Sequence, residues 1–176
     1  MIRLLCSILL ALLVVPGLAH GQQNRLDAAF GAAIATFERA LPQLSASEFG
    51  VDVAAYRDAL TLQRFQSSVW GGEVTAAARI RDAATGSCSR FAAFVRIPPE
   101  NGVVDLVLCP QFFHDGTDAL RELTILHEMV HVVAGRDECQ AMAFAALVEM
   151  AAKGSFTPVD AYWQASGCVD SAYSLP

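Results

Sequence analysis

"LTILHEMVHVVAGRDECQAMAFAA", residues 123–146, holds the reading on which everything else in this chain turns. From Leu123 to Ala134 the segment is apolar on every side of a helix, apart from Thr124, His127, Glu128 and His131. A helix that is apolar all round is a buried one. Burying a neutral polar group without a partner costs roughly 2–7 kcal/mol, so three ionisable side chains inside such a helix need a reason. Gly135 stops the pattern. Asp137 then offers an N-cap, with Gln140 three residues on in the spacing of a capping box, for a second helix that ends near Gly154. Two helices joined by a short bend form the unit around which the rest must pack.

Working outward, Thr117 suits the N-cap of the first helix, and Asp118 places a negative charge in its first turn, where the helix dipole favours it. After Gly154, Thr157, Pro158 and Gly167 bracket a last short helix. On the other side, "CSRFAAFVRI" and "GVVDLVLC" read as strands joined by a turn over Pro98–Gly102. Val74, Ala76, Ala78 and Ile80 alternate as a further strand. Trp70-Gly71-Gly72 separates it from a weaker helical pattern over 51–66. Leu26, Phe30, Ile34, Phe37 and Leu41 recur at helical spacing, which predicts a helix over 24–41 ended by Pro42. Helices, then strands, then helices imply an α+β fold with a small antiparallel sheet.

The N-terminus reads as an export signal. Arg3 precedes an apolar run from Leu4 to Val15, Pro16-Gly17 breaks it, and Ala19-His20-Gly21 offers small residues for cleavage after Gly21. The run is shorter than the ~20 residues a membrane-spanning helix needs. Residues 1–21 are thus expected to be removed, and 22–176 to form one domain with no stable membrane association. Removing 21 of the 176 residues leaves 11 basic against 18 acidic side chains, with no basic cluster, which argues against nucleic acid and anionic membranes as partners. Four cysteines remain beyond residue 21, an even number suited to an oxidising, secreted or periplasmic setting. Their positions favour pairing Cys88 with Cys109 across a hairpin and Cys139 with Cys168 across a helical pair. The second link closes a loop worth roughly 3–4 kcal/mol in the chain-entropy picture.

His127 and His131, four residues apart, project from one helix face and can reach a single metal ion, while Glu128 points to the side. This is the H-E-x-x-H pattern, in which two imidazoles bind Zn²⁺ and the glutamate serves as base toward an attacking water. It answers the burial problem: the metal satisfies the histidines, and the water satisfies the glutamate. A third protein ligand is required, and Asp137, Glu138, Cys139 and Glu149 are the downstream candidates. Tyr162 or Tyr173 could donate a hydrogen bond to a developing oxyanion. His114 and Glu149 read as solvated or packing residues, and Trp70 and Trp163 as core or cleft wall.

"HEMVH" followed by "ECQAMAFAA" resembles the zincin peptidases of the gluzincin type, whose third ligand is a glutamate on the helix after H-E-x-x-H. Glu138-Cys139-Gln140-Ala141 with Phe144-Ala145 is similar to the E-x-Q-A-x-x-F-A segment of bacterial neutral zinc metallopeptidases, with Met142 where those proteins carry an aspartate. "LVLCPQFF", residues 106–113, is similar to the strand before the catalytic helix in deuterolysin-like aspzincins, whose aspartate ligand keeps Asp137 beside Glu138 as a candidate. The resemblance spans about residues 103–150. It implies a zincin-like domain over 22–176, with His127, His131 and Glu138 as Zn²⁺ ligands and Glu128 as general base for peptide hydrolysis. It also implies a peptide or protein substrate laid along an edge strand, for which 103–108 or 74–80 could serve. The alternative is an exported zinc-binding module that cleaves nothing.

Overall fold

The computed structural model describes residues 17–176. Helix α1 (Gly17–Ala40) is followed by a tight turn containing Pro42 and two short strands, β1 (Ser47–Glu48) and β2 (Val51–Asp52). Then come α2 (Val53–Leu60), β3 (Arg64–Ser67), β4 (Gly72–Ile80), β5 (Ala93–Glu100) and β6 (Val103–Leu108). The chain closes with α3 (Pro110–His114), α4 (Asp118–Ala134), α5 (Glu138–Lys153) and α6 (Asp160–Ala165). The α+β class is as expected. The expected signal peptide lies outside the described residues except for 17–21, and α1 runs unbroken through Gly21. No helix among the described residues is long and apolar enough to cross a membrane.

The four-stranded sheet corrects the expected topology. Its order is β3-β4-β6-β5, and β4 pairs with β6 in parallel while the outer pairs are antiparallel. Among the described residues, only the two-stranded β1–β2 sheet is wholly antiparallel. The reason is visible in β5 and β6 themselves. β6 buries Val104, Leu106, Val107 and Leu108, on both of its faces, and so takes an interior place. β5 carries Pro98 and Pro99, which cannot donate to a ladder and belong on an edge. The turn between them is two residues long, Asn101-Gly102, both with positive φ (52° and 74°), rather than the five-residue turn expected. Consequently 103–108 offers no free edge; β3 pairs with 74–80 only at Val74 and Thr75, and β5 is the edge strand beside 103–108.

The pattern over 51–66 divides into a helix and a strand. Asp52 caps α2 by accepting from the Ala55 backbone N–H at 3.0 Å. The helix stops near Leu62, at φ 56°, and Phe65 and Ser67 then turn inward from β3. In the main core α4 packs against α1, α2 and α5 and against strands β5 and β6, and two smaller clusters form around the disulfides. Two side-chain donors, one buried and one half-buried, pin α4 further: the Tyr56 hydroxyl donates to the Leu126 carbonyl at 2.8 Å, and the Trp70 indole to the Val132 carbonyl at 2.7 Å. Both expected disulfides, Cys88–Cys109 and Cys139–Cys168, are present.

Candidate metal centre

α4 starts where Thr117 accepts from the Leu120 N–H at 3.2 Å, and it ends at Gly135, whose φ of 101° suits a residue without Cβ. Two residues later the Asp137 carboxylate accepts from the N–H groups of Cys139 and Gln140 at 2.9 and 3.0 Å and starts α5. The reciprocal half of the capping box is not made, because the Gln140 amide donates to the Phe49 carbonyl instead. This bend brings the first residue of α5, Glu138, back over the two histidines of α4.

Three donors converge there. The Nε2 atoms of His127 and His131 are 3.1 Å apart, and Glu138 lies 3.1 Å from His127 through Oε2 and 3.6 Å from His131 through Oε1. His131 donates its Nδ1–H to the Gly135 carbonyl at 2.7 Å. In the neutral ring that bond leaves Nε2 as a bare lone pair, the tautomer a metal requires. A proton on an Nε2 can be shared with Glu138, and a metal ion taking its place would be met by both rings and the carboxylate. The group can therefore hold a metal ion: its ligand atoms all lie within 4.8 Å of one another, and two nitrogens with one carboxylate oxygen are a donor set zinc accepts. The same crowding governs the protonation equilibria. Burial works to raise the Glu138 pKa, but hydrogen bonds from the two histidines overcome it and hold the carboxyl well below its ordinary range. Burial works to lower the His131 pKa, and Glu138 together with Glu128 outweighs it and raises the value.

Glu128 is different. It is 8% exposed and makes no hydrogen bond among the described residues. Burial raises its pKa, partly opposed by the two histidines. A carboxylate without a protein donor beside such a triad is free to accept a hydrogen bond from a small molecule in the cleft.

A cleft passes over the triad. On one side is an apolar groove of about 470 Å³, walled by Phe91, Leu120, Leu123, Met142, Val159 and Tyr162 and reaching His127 and Glu128. On the other is a groove of about 360 Å³, between the free edge of β5 and the Gly135–Asp137 bend. No family model matches this chain, and no curated protein or solved structure matches it significantly.

The remaining sequence candidates separate cleanly. Tyr162, on α6, donates its hydroxyl to Glu138 Oε2 at 3.1 Å and faces the His127 ring edge-on at 6.3 Å. Burial, the Glu138 charge and their hydrogen bond push its pKa up to about 12. Tyr173 is not brought to the triad; it packs edge-on against Phe49 near the Cys139–Cys168 disulfide. Trp163 packs in that same disulfide cluster. Asp137 is a helix cap, and His114 is exposed at the end of α3. Glu149 is buried, at 1% exposure, among partners of its own. Sequence reasoning missed Tyr56, whose single apolar-looking turn gave no sign that its hydroxyl would clamp α4. It also missed Phe91, which lines both grooves from the loop anchored by Cys88–Cys109, and Arg136 in the bend.

Proposed function

We propose that this chain is an exported, zinc-dependent metallopeptidase. The observation that carries the proposal is the pairing of three convergent donor atoms with a buried carboxylate, Glu128, that has no donor of its own. His127, His131 and Glu138 would hold the ion. When bound, zinc supplies Lewis acidity toward a scissile carbonyl and acidifies water. Glu128 accepts the proton of the attacking water and returns it to the leaving amine, the work for which a raised pKa suits it. Tyr162, which already points a hydroxyl into the triad, is placed to donate to the oxygen on which negative charge develops. An extended peptide gains main-chain hydrogen bonds by adding to β5, the free sheet edge along the cleft. Two disulfides suit a compartment outside the reducing cytosol.

The test is metal content followed by hydrolysis. Purified protein is expected to hold about one zinc per chain, because convergent preformed ligands make a tight site. His127→Ala, His131→Ala and Glu138→Gln should each strip it. Absence of stoichiometric metal in the native protein would end this reading. Metal without hydrolysis of any peptide in a broad library would leave a zinc-binding module.

A further inference from the structure

The two grooves beside the triad offer a substrate different chemistry. The larger is apolar, and its two cations are already engaged. Arg121 donates to Asp118 at 3.0 Å and to the carbonyls of Phe112 and Asp115, and the Arg90 guanidinium lies over the Phe91 ring at 5.3 Å. The smaller groove carries one cation, Arg136, which is exposed and makes no ion pair or side-chain hydrogen bond among the described residues.

Its surroundings give that charge a direction. The backbone under Arg136 is fixed on both sides: Gly135 accepts from the His131 ring and donates back to the His131 carbonyl, and Asp137 caps α5. The facing wall is the β5 edge, where Phe94, Val95 and Ile97 contribute no charge. The acids on this groove are Glu128, the proposed base, and Glu138, a member of the triad. Once a divalent ion balances those two carboxylates, Arg136 is the remaining charge on the groove, with the adjacent Asp137 carboxylate turned to the backbone N–H groups of α5. A guanidinium presents a planar fork of donors that matches a carboxylate in bidentate geometry, and an apolar facing wall strengthens the contact by excluding water.

We propose that Arg136 is a specificity residue, selecting substrates that place a carboxylate in the groove between β5 and the Gly135–Asp137 bend. This inference rests on the peptidase reading. The carboxylate can come from an Asp or Glu side chain within a peptide or from a free C-terminus, and the test separates the two.

The experiment uses zinc-loaded full-length protein and end-blocked peptides carrying Glu, Gln or Lys at one position, scanned across the cleaved bond. The neutral parent peptide with a free C-terminal carboxylate is a further arm. Wild type is expected to prefer Glu over Gln at one position, or the free over the amidated terminus, by about 10- to 100-fold in kcat/KM, the range of a hydrogen bond to a charged group. Added salt should erode the preference, because Arg136 is exposed. Arg136→Gln should abolish it, and Arg136→Glu should turn it toward Lys, with zinc content unchanged in both. A preference that survives in both variants, or a wild type with none, overturns the inference. If wild type cleaves nothing, the peptidase reading fails, and the inference is then decided by binding. Zinc-loaded Glu128→Gln should bind labelled Glu peptides more tightly than Gln peptides in fluorescence anisotropy. Equal affinities, or a difference that persists in Glu128→Gln/Arg136→Gln, sink it.

Discussion

The same helix pair, α4 and α5, carries two clusters of charge, and they are built on opposite plans. At one end Lys153 of α5 bonds Glu122 of α4 at 2.8 Å and Glu149 of α5 at 3.0 Å. Glu149 also accepts from the Thr157 N–H at 2.7 Å and from its hydroxyl at 3.2 Å. Every charged group there has a protein partner, as buried charges must when their role is to hold a structure. At the other end two imidazole nitrogens face each other, Glu138 leans on both, and Glu128 has no donor at all. Unequal satisfaction of two buried carboxylates, Glu149 and Glu128, is what separates the clusters. The first cluster is complete as folded, while the second can hold a metal ion.

The largest effect expected from this contrast is on chemistry alone. Glu128→Gln keeps size and shape but cannot take a proton near neutral pH, so hydrolysis should fall about 10²–10⁴-fold while zinc content and melting temperature hold. Loss of metal in this variant would mean that Glu128 is a ligand, and the contrast would have to be redrawn. Next comes its mirror image. Lys153→Met leaves two carboxylates facing each other and should cost about 3 kcal/mol of stability, the low end for a broken buried pair because Lys153 is 30% exposed. Metal bound per folded chain should not change; if it does, the two clusters are coupled through the helices. The fold also makes this cluster pH-sensitive in a defined direction. Burial opposes the charged lysine, but its bonds to Glu122 and Glu149 outweigh that and raise its pKa above 10.5. Its stabilisation is therefore complete below that pH and is lost as pH climbs through the higher folded value. Urea titrations at pH 8 to 12 should show the decline, and Lys153→Met should flatten it.

A smaller effect belongs to the link between site and scaffold. Cys139 starts α5 beside Glu138, and its bond to Cys168 ties that turn to the segment after α6, which carries Tyr162. Replacing both cysteines by Ser should cost about 2–4 kcal/mol, and it should weaken hydrolysis more than zinc binding, since Tyr162 loses its anchor before the histidines do. Equal losses of both would place the disulfide's role in the triad itself.

Legibility in the sequence followed the range of the interaction. The H-E-x-x-H spacing, the Gly135 stop and the Asp137 cap are set within a few residues and could be read directly, whereas Glu138 stood beside Asp137 as a candidate and was favoured by resemblance. The cysteine pairs could be read because they bracket local units. What failed was non-local. The parallel pairing of β4 with β6 depends on which strand of a hairpin lies inward, a choice made by burial on the second face of β6. β3 has four residues, too few for alternation to stand out from the end of a helical pattern. Glu149 read as a surface or packing residue, and it is a buried packing one, held by Lys153 and Thr157 four and eight residues on. Arg136 could not be singled out at all, since only the folded cleft distinguishes it from any other arginine.

The smallest effect tests the finest distinction, between adjacent acids at the start of α5. Asp137 and Glu138 are both carboxylates within reach of the bend, and an aspartate at this point is a plausible ligand on spacing alone. In the fold their carboxylates face different duties: Asp137 accepts two backbone N–H groups of its own helix, and Glu138 accepts from Tyr162 and meets both histidines. Asp137→Ala should therefore behave as the loss of an N-cap, about 1 kcal/mol of stability, with zinc still bound in a one-to-one ratio. It should also loosen the first turn that presents Glu138, so a modest weakening of zinc, within about tenfold, is compatible with a positioning effect of that size. Complete loss of metal in Asp137→Ala, with retention in Glu138→Gln, would shift the third ligand by one residue. It would also require the bend to rotate from the conformation in which Gly135 holds the His131 ring.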